Sequence, residues 1–287
     1  MKKIQLNVIL GGCDNPEKPF NGTLFNIFEV IMYDFTCVDA HVHPFFEAEN
    51  NIAMYESPAT AQEMVDLLKA AGITLCCGSL IHKNWKTSPE GMKKCNAECF
   101  RFADTFPDFF IPGLIFHAAF PEESCAEIEK YYKTGRLHWL GEIVPYTTGT
   151  NSYAIEELFP VYDLAAELGL PVNIHPMTNQ DVAKVAELFP KLNVIMAHPG
   201  EKVSYLEKLE LMKERPNLHL DLCGTGLFRW GMLKHGVKTL GAERFLFGSD
   251  FPVCNAAMNR AAVLSENLAQ GELDLIFSGN FRRLAHL

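Results

Sequence analysis

No CxxC pair occurs among the nine cysteines, Cys13, Cys37, Cys76, Cys77, Cys95, Cys99, Cys125, Cys223 and Cys254. A zinc knuckle or a thioredoxin-type redox site therefore finds no support. The odd number in a chain of this size fits reduced thiols and a cytoplasmic protein. Positive charge is scarce. Against 35 Asp and Glu stand 25 Lys and Arg, a net charge of −10, so no basic footprint offers itself to nucleic acid or to an anionic membrane. No apolar run is long enough for a membrane span: the opening MKKIQLNVILGG stops at Gly11-Gly12. No small-residue cleavage site follows it, which argues against a secretory leader. No glycine-rich phosphate loop follows the first predicted strand, so dinucleotide binding is unsupported. What is present is an ordinary globular composition, 48% hydrophobic and 21% charged. The 287 residues suffice for a sizeable core in one large domain or two small ones.

From residue 37 onward, short β-branched runs alternate with helix-like segments. The predicted strands are 37–43, 73–80, 110–116, 138–144, 171–175, 193–197, 218–223 and 244–248. Several are near-continuous apolar runs, as suits parallel strands covered on both faces. Between them lie amphipathic helices. Residues 59–71 put Met64, Leu67, Leu68 and Ala71 on one face and stop at Gly72; 155–168 put Leu158, Val161, Tyr162 and Ala165 inside and stop at Gly169. Segments 181–189, 203–214 and 256–269 follow suit. Eight such units predict an α/β fold, a closed (β/α)8 TIM barrel over residues 37–287; alternation alone also fits an open doubly wound sheet. Residues 1–36 form an N-terminal extension, expected to be a lid, a short hairpin or a cap on the barrel bottom.

Chemistry gathers at the strand ends, which converge on one rim in a barrel. Strand 1 ends in Asp39-Ala40-His41-Val42-His43-Pro44, strand 5 in Asn173-Ile174-His175-Pro176, strand 6 in Ala197-His198-Pro199-Gly200 and strand 8 in Gly248-Ser249-Asp250-Phe251-Pro252; strand 4 carries Gly141-Glu142-Ile143. Residues i and i+2 of a strand share a face, so His41 and His43 can grip one ion. His175 adds a third imidazole and Asp250 a hard oxygen, a set that fits a catalytic divalent metal. Asp250 could also accept a proton from water, and His198 could be a further ligand or a general acid/base. A lone histidine at a strand end is usually structural, and an Asp before a turn usually local. The weight comes from four of the ten histidines and one aspartate falling at the ends of independently predicted strands.

With these residues in view, the chain resembles the amidohydrolase superfamily, and within it the amidohydrolase-related branch that includes aminocarboxymuconate-semialdehyde decarboxylase-like enzymes. DAHVHP is similar to its His-x-His, NIHP and AHPG to its later histidines, FGSDFP to its strand-8 aspartate, and IFSGNFRRLAHL to its last helix. The resemblance implies His41, His43, His175 and Asp250 as ligands of one ion, zinc first and manganese second, with His198 as the catalytic histidine. The lysine carbamylated in binuclear members is missing from His138-Trp139-Leu140-Gly141-Glu142-Ile143. GEI is similar instead to the strand-4 glutamate of TatD-type nucleases, which leaves Glu142 as a second-metal ligand or as a residue behind the ligands.

The leading expectation is a cytoplasmic metal-dependent hydrolase, acting through metal-bound hydroxide on a small ester, lactone or amide. Non-oxidative decarboxylation of a small unsaturated or aromatic acid is the alternative; a TatD-like nuclease and a non-catalytic metal-binding barrel rank lower. Substrate contacts are expected from Lys83, His117, Tyr146 and Arg229, which follow strands 2, 3, 4 and 7. The partner is a small molecule, with neither nucleic acid nor membrane involved, and the assembly a homodimer.

Overall fold

A computed structural model describes residues 36–82 and 88–287. The lid or cap expected of the N-terminal extension falls outside the described residues, apart from residue 36, and so does Lys83. Eight strands run parallel in sequence order, each paired with the next: β1 (Val38–Asp39), β2 (Leu75–Gly78), β3 (Phe110–Leu114), β4 (Trp139–Ile143), β5 (Val172–Ile174), β6 (Val194–Met196), β7 (Leu218–Asp221) and β8 (Phe245–Leu246). Each lies within its predicted run. The sheet closes on itself where β8 meets β1: Ala40 N–H donates to Phe247 O (3.0 Å), Asp250 N–H to His41 O (2.8 Å) and His43 N–H to Phe251 O (2.9 Å). Asp39 reinforces this seam, its Oδ1 accepting from the backbone N–H of His41 (3.2 Å) and of Ser249 (2.9 Å). Such closure is the TIM barrel, and it excludes the open sheet.

The strands are buried on both faces because helices cover the outside. Side-chain oxygens start several of these helices by accepting an otherwise orphan backbone N–H: Thr60 from Glu63, Ser88 from Gly91, Thr178 from Asp181 and Asn255 from Met258. The helix Ala61–Ala70 buries Ala61, Met64, Val65 and Leu68. Leu67, expected inside, is exposed, because the buried stripe runs through positions i, i+3, i+4 and i+7 from Ala61 and misses it. The segment predicted at 155–168 is a 3-10 turn, Glu156–Leu158, leading into the helix Phe159–Leu168, with all four expected core residues buried.

The barrel floor is filled from the C-terminal end of the sequence. Val38, Ala40, Cys77, Trp139, Ile195 and Leu246 pack with Phe281, Leu284 and Ala285 of the helix Asn280–Leu284 and the residue after it. The Trp139 and Phe281 ring centroids are 5.3 Å apart. Asn280 Nδ2 anchors this plug by donating to Ala242 O and Phe245 O, each at 2.8 Å. Among the described residues no helix is long and apolar enough to cross a membrane.

Two expectations follow for stability. Phe281→Ala should open a cavity under Trp139 and cost about 3–5 kcal/mol in urea unfolding; a loss below 1 kcal/mol would mean the plug is dispensable. His219, on β7, is buried, and burial first, then the charges of Arg244 and Arg283, push its pKa down to about 3. An unfolded histidine titrates near 6.5, so between pH 6.5 and 3 the unfolded state binds the extra proton. Stability should fall with acid through that window by at most about 1.4 kcal/mol per pH unit from this group. Denaturation of wild type and His219→Gln from pH 7 to pH 4 should show the difference between them changing with that slope; a pH-independent difference contradicts it.

Candidate metal centre

The rim gathers six of the predicted side chains into two trios that meet at one carboxylate. His41, His43 and Asp250 form the first trio; Glu142, His175 and His198 form the second. The first is made by the β1–β8 seam, where parallel pairing sets Asp250 beside His41. Glu142 Oε2 stands 3.4 Å from His41 Nε2 and 3.5 Å from His43 Nε2. Asp250 Oδ1 is 3.8 Å and 3.4 Å from the same two nitrogens. Glu142 Oε1 turns the other way, 3.1 Å from His175 Nδ1 and 3.2 Å from His198 Nε2. Glu142 thus stands within 3.5 Å of a ring nitrogen of all four histidines.

The donor set of the first trio fits a cation. His43 Nδ1 lies 3.0 Å from the carbonyl of Ser79, and His41 Nδ1 lies 2.9 Å from Asp221 Oδ2. A carbonyl and a carboxylate only accept, so both Nδ1 atoms carry hydrogen, and once the rings are neutral both Nε2 atoms present lone pairs. These two Nε2 atoms are buried and have no hydrogen-bond partner. Two lone pairs and two carboxylate oxygens separated by 3.4–3.8 Å match the edge of a coordination tetrahedron with zinc bonds of 2.0–2.1 Å, about 3.4 Å.

The electrostatics agree. Burial opposes a proton on His43, but the carboxylates of Asp250 and Glu142 outweigh it and push its pKa up to about 9. Burial would raise Glu142, yet the surrounding imidazoles, His41 foremost, hold it well below the usual range. A field that draws protons onto two imidazoles draws a divalent cation there as well. Asp250 and His198 both sit at positive φ, 64° and 62°, conformations that cost non-glycine residues of order 1–3 kcal/mol and cluster at functional sites.

The remaining candidates lie outside both trios. Tyr146, on the short helix Pro145–Thr148 after β4, is exposed beside an open groove of about 480 Å³ lined by Pro145, Tyr146, Gly149, Thr150 and Asn151. Burial of its hydroxyl and the charges of Glu142 and Asp250 push its pKa up to about 12. His117 is buried, its Nδ1 accepting from Ala119 N–H at 3.0 Å, and burial pushes its pKa down. Arg229 is exposed and paired with Glu201 at 3.2 Å.

Asp221 and Cys223 escaped the sequence reading. Both are buried against His41, Asp221 as described and Cys223 with its Sγ 3.1 Å from His41 Nδ1. The sequence marks them only as sharing a face: in Leu218-His219-Leu220-Asp221-Leu222-Cys223 apolar and other residues alternate, without saying which face lines the centre.

The model of the amidohydrolase family matches residues 38–286. No curated protein matches the chain. Among solved structures, the chain is similar to a 2,6-dihydroxybenzoate decarboxylase complexed with 2,6-dihydroxybenzoate, at 17% identity and a TM-score of 0.69 over 88% of this chain and 100% of that one. It is similar to a dihydroxybenzoic acid decarboxylase from Polaromonas with bound manganese and 2-nitroresorcinol, at 15% and 0.66 over 88% and 97%. It is also similar to a probable 2-pyrone-4,6-dicarboxylic acid hydrolase from Acinetobacter baumannii with citric acid bound, at 14% and 0.63 over 88% and 100%. At these identities the likeness is one of fold.

Zinc or manganese added to chelator-treated protein should raise the melting temperature, with about 2.7 kcal/mol of stabilisation at a hundredfold excess over Kd. The ion must displace the proton that His43 holds up to about pH 9, so affinity should tighten as pH rises toward that value. His43→Ala should abolish the effect; an equal rise in that variant would place the ion elsewhere.

Proposed function

The chain belongs to the amidohydrolase family, a family of metal-dependent enzymes, and within it we propose a hydrolase that cleaves a small ester, lactone or amide. The observation that carries this reading is the pair of buried, unpartnered imidazole nitrogens, His41 Nε2 and His43 Nε2, facing the carboxylates of Asp250 and Glu142. These four side chains would hold the ion, with His175 the further imidazole beside Glu142. Zinc is the ion we propose; manganese suits the two oxygens and is bound by the Polaromonas neighbour. Such an ion supplies Lewis acidity toward a carbonyl oxygen and lowers the pKa of water.

The chain's own groups do the rest. Asp250, at the rim and slightly exposed, takes a proton from the attacking water as its oxygen bonds to the carbonyl carbon. That proton then passes to the leaving oxygen or nitrogen as its bond to carbon breaks. His198, with Nε2 3.2 Å from Glu142 Oε1, donates to the oxygen on which charge develops. Tyr146 and the groove beside it would receive the substrate, with His117 behind that loop. A cytoplasmic setting accords with the eight described cysteines, all free thiols.

Decarboxylation is the second reading, favoured by the activities named for two of the similar structures. It requires a cation to hold the substrate carboxylate. Of the two cations expected for it, Arg229 is exposed and pairs with Glu201, and Lys83 lies outside the described residues. Zinc-loaded protein should be assayed against 4-nitrophenyl esters, lactones and anilides by acid release, and against dihydroxybenzoates by carbon dioxide release. We expect acid release, lowered about 10²- to 10⁴-fold in kcat by Asp250→Asn with metal content retained. Carbon dioxide release abolished by Lys83→Ala would replace hydrolysis with decarboxylation, and full turnover in Asp250→Asn would remove Asp250 from the mechanism.

A further inference from the structure

β7 and the residues after it carry an inward pair spaced like His41 and His43. Asp221 and Cys223 are both fully buried, and each touches an imidazole of the centre. The Asp221 carboxylate accepts from four donors: His41 Nδ1 at 2.9 Å and Asn173 Nδ2 at 2.5 Å on Oδ2, and the backbone N–H of Cys223 at 3.1 Å and of His198 at 3.5 Å on Oδ1. As an acceptor only, it fixes hydrogen on His41 Nδ1. Cys223 Sγ lies 3.1 Å from His41 Nδ1 and 3.1 Å from His198 Nδ1. A thiol has one hydrogen to give. His41 Nδ1 already bears hydrogen, and Glu142 Oε1, which only accepts, lies 3.2 Å from His198 Nε2, so the neutral His198 ring is left with a bare Nδ1 to receive the S–H. Neutral His198 then keeps its own hydrogen on Nε2, 3.2 Å from Glu142 Oε1 and 3.0 Å from His175 Nδ1. The contact is built closely: a Cβ at Gly224 would come within 2.4 Å of His198 Nδ1, and Gly224 has φ +64°, so a side chain there would be strained and would press on the ring.

We propose that Asp221 and Cys223 are positioning residues that hold His41 and His198 in opposite tautomers, His41 with a bare Nε2 for the metal and His198 with Nε2–H for the substrate. The role given to His41's lone pair rests on the metal reading above; the tautomers themselves do not. One consequence is a count. Glu142, His175 and His198 resemble a second metal trio, yet an Nε2–H cannot ligate, so the centre takes one ion.

Two-bond proton–nitrogen NMR spectra of the full-length chain, with 15N-labelled histidine and resonances assigned by single His→Gln changes, read the tautomers directly. Recorded at a pH high enough that both rings are neutral, metal-free wild type should show His41 as Nδ1–H and His198 as Nε2–H. Excess zinc should leave His198 unchanged, and calorimetric titration should saturate at one equivalent. Cys223→Val should lose the Nε2–H preference of His198 and Cys223→Ser should restore it, since a hydroxyl also donates. Asp221→Asn should weaken zinc binding 10- to 100-fold. Nδ1–H on His198 in wild type, or its loss of Nε2–H with a second equivalent of zinc, would overturn the proposal. If wild type binds no zinc, the metal reading falls while the metal-free spectra still decide the tautomers. Should a variant fail to fold, the wild-type spectra decide alone.

Discussion

Everything at the rim depends on the seam between β8 and β1. His41 and His43 lie at one end of the sequence of strands and Asp250 at the other, and only closure of the sheet brings them within 3.4–3.8 Å. The backbone bonds that close it, Asp250 N–H to His41 O and His43 N–H to Phe251 O, run between the very residues that face the centre. Scaffold and site are therefore one structure: the hydrogen bonds that complete the barrel also set the donor spacing.

The seam gathers buried carboxylates against imidazoles. Glu142, Asp250 and Asp221 are all buried beside imidazoles, and burying carboxylates is costly unless they are paired or bound to a cation. Asp221 is relieved by four hydrogen bonds. Asp250 and the Oε2 of Glu142 instead face nitrogens that have no partner. This contrast is the basis on which we propose that Asp221 orients while Asp250 and Glu142 coordinate.

Most of the barrel was legible because its signals are local. Apolar runs punctuated by Gly169 or by Pro after His43, His175 and His198 locate strands and helices without any tertiary knowledge. The gathering of His41, His43, Glu142, His175, His198 and Asp250 was legible because strand ends share a rim in this fold. Three things were not. Leu67 fits the helical period about as well as its buried neighbours, and only the angle at which the helix meets the sheet decides which apolar residue is left outside. The central place of Glu142 depends on where two oxygens of one side chain point, which no spacing encodes. Asp221 and Cys223 were hidden by residue type: an acid and a thiol within an apolar strand look like core punctuation until the strand's inner face is known to line the centre.

The floor plug and the seam also impose an order of events. β1 begins at Val38, but its partner β8 begins at Phe245 and the plug at Asn280. At about 5–20 residues per second on the ribosome, His41 and His43 spend tens of seconds outside the exit tunnel before Asp250 exists to stand beside them. During that interval His-x-His is an open two-nitrogen chelator for any soft or borderline ion in reach. For the ion proposed above, selectivity is thus a property of the finished barrel, where Asp250 and Glu142 stand beside the two nitrogens.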